Sequence, residues 1–125
     1  MGEQRITNCF MDTLFEYVEE FPNMDYVIEL GGSDFDFERK FITIMKKEFS
    51  WQLGNYLYHM KKNEPRAAAE IVHKIKFKFS VLGMPNAFEF SEHYQERLHV
   101  GDMELDEDFK KSLRKVNEFL KTFAD

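Results

Sequence analysis

The chain has 125 residues, 43% of them hydrophobic and 32% charged. That is the size and balance of one globular domain, able to bury roughly two thirds of its unfolded surface. A net charge of −6 argues against a nucleic-acid binder, because phosphate contacts need clustered Lys and Arg, and the single Cys9 excludes an intrachain disulfide or a cysteine-based metal cluster.

No apolar run approaches the roughly 20 residues of a membrane span. The opening MGEQRITN lacks the basic start and apolar run of a secretory signal. With one cysteine, a reducing, cytoplasmic setting is expected.

Residues 7–20 are amphipathic, with Ile6, Phe10, Leu14, Tyr17, Val18 and Phe21 at helical spacing and Pro22 as a stop. A short helix follows over Met24–Leu30 and ends at Gly31-Gly32. Ser33 or Asp34 is expected to cap a long helix, with Asp36 or Glu38 in its first turn. It runs to about Lys62 on a stripe of Phe37, Phe41, Ile44, Met45, Phe49, Leu53, Tyr56, Leu57 and Met60. Trp51 and Gly54 lie off that stripe and fit no role in it. The link Lys62-Asn63-Glu64 is short enough to make the next helix antiparallel, and Pro65 suits a first helical position.

That next segment, Pro65–Gly83, reads as one helix of about five turns. Ala68, Ile71, Val72, Ile75, Phe79 and Leu82 share one side. Arg66, Ala69, His73, Lys76, Phe77 and Ser80 share the other, so His73 is expected to face solvent with Lys76 one turn on. Pro85 opens a helix to about His99 with stripe Ala87, Phe90, Tyr94 and Leu98, and Gly101 breaks it. Asp106 is expected to cap a last helix with stripe Phe109, Leu113, Val116, Leu120 and Phe123. No segment alternates with period two, and no repeat of fixed period appears. The expected fold is all-α: an antiparallel up-down-up-down four-helix bundle over about 33–125, with an N-terminal helical cap over about 1–32.

His73-Lys74-Ile75-Lys76 followed by Leu82-Gly83 resembles the core of histidine-containing phosphotransfer (HPt) domains. Their pattern is a His, any residue, a Leu, a Lys, a Gly, and then a Leu-Gly pair closing the same helix. Ile75 stands for the Leu, Lys76, Leu82 and Gly83 match, and Ser80 fills a place where the family favours small residues. Phe77 departs from the usual Gly. More loosely, the resemblance covers about Asp25 to Leu98.

The resemblance implies a phosphorelay intermediate. His73 would accept a phosphoryl group from the aspartyl phosphate of a receiver domain and pass it to another receiver. Lys76 would stabilise the phosphate, Ser80 would assist, and Ala69, Glu70, Phe77 and Ser80 would centre the docking face. The expected partners are response-regulator receivers or a hybrid sensor kinase. No cofactor of the chain's own is expected, because the receiver brings the Mg²⁺. The chain is expected to be monomeric, and its own Met1 and N-terminal helix favour a free protein over a piece of a hybrid kinase. An imidazole suits the task, being nucleophilic near neutral pH with an unperturbed pKa of about 6.5.

Two other classes compete. An HPt-fold docking module that never carries phosphate would have the same pattern, and Phe77 could belong to one. A metal-binding bundle would use Glu70 and His73, a Glu-x-x-His at di-iron spacing, but such a site needs its ligands pointing inward, and both residues are expected to point outward. Glu89 and His93 at i, i+4 are only two ligands, and His59 and His99 have no constellation.

Overall fold

A computed structural model describes residues 19–124; the helix expected over residues 7–20 lies almost wholly outside them, and Glu19 and Glu20 are not helical. The described residues are all helix and connections: α1 Asp25–Leu30, α2 Phe35–Lys61, α3 Pro65–Val81, α4 Pro85–His99 and α5 Asp106–Lys121. No helix among them is long and apolar enough to cross a membrane.

Each start and stop has a local cause. The Asn23 side chain accepts from the Asp25 N–H at 3.0 Å and opens α1. Gly32, at φ +63°, closes the turn after it, a conformation glycine adopts without penalty. Of the two expected caps for α2, Asp34 is the one used: its carboxylate accepts from the Asp36 N–H at 2.9 Å. Pro65 and Pro85 open α3 and α4, where a missing N–H costs nothing. For α4 a cap comes from far along the chain, since the Glu20 carboxylate accepts from the N–H groups of Asn86 and Ala87 at 3.0 and 2.6 Å. Asp106 is not a cap: Leu105 holds that position, and Asp106 lies in the first turn of α5 with its carboxylate turned to Tyr56.

The four longer helices touch in chain order, α2 to α3, α3 to α4 and α4 to α5, and α5 returns to α2. One apolar cluster lies between them. Phe109 of α5 is its hub, with ring centroids 5.1 Å from Tyr56 of α2, 5.9 Å from Phe79 of α3 and 5.2 Å from Tyr94 of α4. All four of these side chains are fully buried, and each such residue stabilises the fold by roughly 1.5–3 kcal/mol. The two tyrosine hydroxyls inside this cluster are satisfied. Tyr56 donates to Asp106 Oδ1 at 2.5 Å and Tyr94 lies 2.6 Å from the Tyr56 oxygen.

The stripe of α2 differs from its expected composition. Its buried residues are Ile42, Met45, Phe49, Gln52 and Tyr56, whereas Ile44 is 58% exposed and Leu57 is 42% exposed. At 100° per residue Ile44 stands about 140° from Phe49, so it cannot share that face.

Candidate functional site

α3 carries the site, and its position decides which residues reach the surface. It packs against both α2 and α4, so its buried arc is wider than its apolar stripe. Ala68, Ala69, Ile71, Val72, Ile75, Lys76, Lys78 and Phe79 are all buried, an arc of about 180° at 100° per residue. Ala69 is therefore a core residue with no accessible surface, not part of an exposed face. Lys76 was also expected on the solvent side; only 7% of it is accessible. Both sit at the edge of the arc that α4 covers. Just beyond that edge His73 and Ser80 are exposed, as is Glu70 further round. Phe77 is 51% exposed.

His73 and Lys76 meet on a residue of α4. The Gln95 side-chain oxygen lies 3.4 Å from His73 Nδ1 and 3.3 Å from Lys76 Nζ. An ammonium can only donate, so the Gln95 amide must present its oxygen to Lys76. The same oxygen then accepts from His73 Nδ1–H. In the neutral ring this leaves Nε2 as the nitrogen with a free lone pair.

Around the Lys76 ammonium stand two aromatic rings and a carboxylate. It lies 5.4 Å from the Phe77 ring centre and 5.7 Å from that of Phe88, within cation–π range. Glu92 Oε2 is 3.7 Å away. The Phe77 ring stands edge-on to the imidazole, with centroids 5.6 Å apart and an interplanar angle of 89°, and 6.0 Å from the Phe88 ring. On the opposite edge of α3, Lys78 pairs with Glu48 of α2 at 3.0 Å. Trp51, 62% exposed, lines an open groove with Lys47, Glu48, Gln52 and Lys74.

This arrangement offers an exposed imidazole oriented by an amide, with a fixed cation one turn away. It is suited to taking up and holding an anionic group. Phe88, Glu92 and Gln95 were not singled out in the sequence. Their i, i+4 and i+3 spacing puts them on one face of α4, but only the pairing of α4 with α3 brings that face to His73. Among the described residues no group of three His, Cys, Asp or Glu side chains is placed to hold a metal ion. Comparison of the chain with protein-family models, with characterised proteins and with solved structures finds no match.

Proposed function

We propose that the chain is a phosphorelay intermediate of the HPt type, a cytoplasmic, monomeric four-helix bundle with His73 as its phosphoacceptor. The observation that carries this reading is the convergence of exposed His73 and the Lys76 ammonium on the Gln95 oxygen. The donor is the aspartyl phosphate of a receiver domain, which also brings Mg²⁺. The lone pair of His73 Nε2 attacks phosphorus in line with the acyl oxygen. The N–P bond forms, the O–P bond breaks, and the aspartate carboxylate leaves with the electron pair. The Nδ1 proton stays in place, and its hydrogen bond to Gln95 spreads the positive charge that the ring acquires. The Lys76 ammonium serves the phosphoryl oxygens as a point charge, with Ser80 at the rim of the same face. Transfer to a second receiver reverses these steps. Glu70, Phe77 and Ser80 are the exposed residues that a docking receiver would meet.

A docking module that never carries phosphate is the second reading, favoured by one observation: the Phe77 ring stands against the imidazole. The experiment that separates the two is incubation with phosphorylated receivers. His73→Gln is expected to abolish acid-labile phosphate uptake while leaving the far-ultraviolet circular dichroism unchanged. Uptake that persists in the variant, or label found on His59, His93 or His99, would refute the assignment.

A further inference from the structure

The Lys76 side chain is only 9% accessible, whereas that of Glu92 is 52% accessible. A cation withdrawn that far from water needs an anion close by. Of the groups around it, Phe77 and Phe88 offer ring faces and Gln95 a neutral amide oxygen. Glu92 contributes the full negative charge, at 3.7 Å. The clamp thus has a fixed part and a loose part. The Phe88 ring and the Gln95 amide are partly buried between α3 and α4, while the Glu92 carboxylate, like the Phe77 ring, is half in solvent.

We propose that Glu92 is the resting counter-ion of Lys76, and that a phosphoryl group on His73 takes the ammonium over from it. This inference rests on the reading of His73 as the phosphoacceptor. A phosphoryl group on Nε2 brings more negative charge than one carboxylate and stands one helical turn from Lys76. Glu92 then loses its partner and turns into water, where a carboxylate is well solvated. Until it does so, its charge competes with the phosphate for Lys76. Glu92 is therefore a positioning residue acting through Lys76, and it shortens the life of the phosphohistidine.

The test uses phosphoramidate as a small phosphoryl donor, so that no receiver is needed. The phosphoryl group passes from the amide nitrogen to imidazole nitrogen and ammonia leaves. Loss of label is followed site by site by mass spectrometry, with His59 and His99 as internal references. Glu92→Gln is expected to lengthen the life of phosphorylated His73 about two- to fivefold, the range of a partly exposed charge pair, and to leave the reference histidines unchanged. In a Lys76→Met background, which keeps the side-chain stem, the same substitution is expected to have no effect. An unchanged lifetime in Glu92→Gln, an equal gain in the Lys76→Met background, or no label at all on His73 would overturn the proposal. Failure of phosphorylated receivers to label the wild-type chain, with the phosphoramidate results as expected, would overturn the relay reading alone.

Discussion

At the scale of single residues, Phe77 carries the most consequence. Its ring leans over the turn that holds His73, as helical side chains do. It touches the imidazole edge-on and walls one side of the Lys76 ammonium. About half of it remains in water, so a docking partner can still bury that half. Full burial of such a ring stabilises by roughly 1.5–3 kcal/mol, and half of it by about 1 kcal/mol. Under the proposed relay function, Phe77→Ala is therefore expected to weaken receiver binding about fivefold and to slow transfer at low receiver concentration, as measured by calorimetry and by phosphoryl-transfer kinetics. Faster transfer in the variant would mean that the ring shields the imidazole and does not anchor a partner. Lys76 shows why the substitution must be chosen with care. Its side chain is only 9% accessible, so truncation to Ala removes packing as well as charge.

At the scale of elements, α2 is the longest helix, 27 residues and about 40 Å by its rise per residue, and its outer face is unlike its inner one. Trp51 and Gly54 both lie on that outer face. A Cβ on Gly54 would meet no atom within 4 Å. Glycine inside a helix costs roughly 0.5–1 kcal/mol relative to alanine. Gly54→Ala is thus expected to stabilise the fold by that amount, read as a higher urea midpoint at unchanged slope. Destabilisation would show that something covers this face. Gly83 is the opposite case. It has φ +75°, and a Cβ there would come within 2.5 Å of the Asn23 side chain, so both the turn into α4 and the approach of the segment before α1 require glycine.

At the scale of the whole molecule, the buried Tyr56–Tyr94–Asp106 cluster ties α2, α4 and α5 together. Burial pushes the Tyr56 hydroxyl far above the usual phenol range, and its hydrogen bond to Asp106 pushes it further. Burial also pushes Tyr94 up, to about 12. A raised folded-state pKa stabilises the protein below the unfolded value and ceases to do so as pH rises through the folded one. Stability is therefore expected to fall with rising pH between about 10 and 12, the unfolded and folded values for Tyr94. Tyr56→Phe should make that fall shallower in urea titrations. It should also lower stability at neutral pH by about 1–3 kcal/mol, since Asp106 loses its buried donor. An equally steep alkaline loss in the variant would place its origin elsewhere.

The sequence by itself determined α1 to α5, because the signals for them are local. Pro65 and Pro85 open helices whatever surrounds them. Asp34 caps through its own backbone neighbourhood, and the period of α3 and α5 follows from one face being apolar. The outward position of His73 followed in the same way, from its angle to that face. Only the tertiary structure decided what stands around His73. Helical angle says that Ala69 and Lys76 lie off the stripe, but α3 has a neighbour on each side and α4 covers them both. Gln95, Glu92 and Phe88 are brought in by the same contact. Asp106 was legible as a helix start, yet the nearby Tyr56 hydroxyl turned it from a cap into a core partner. Backbone geometry is set within a few residues, whereas the environment of a side chain is set by whichever helix packs beside it, and that depends on the fit of the whole core.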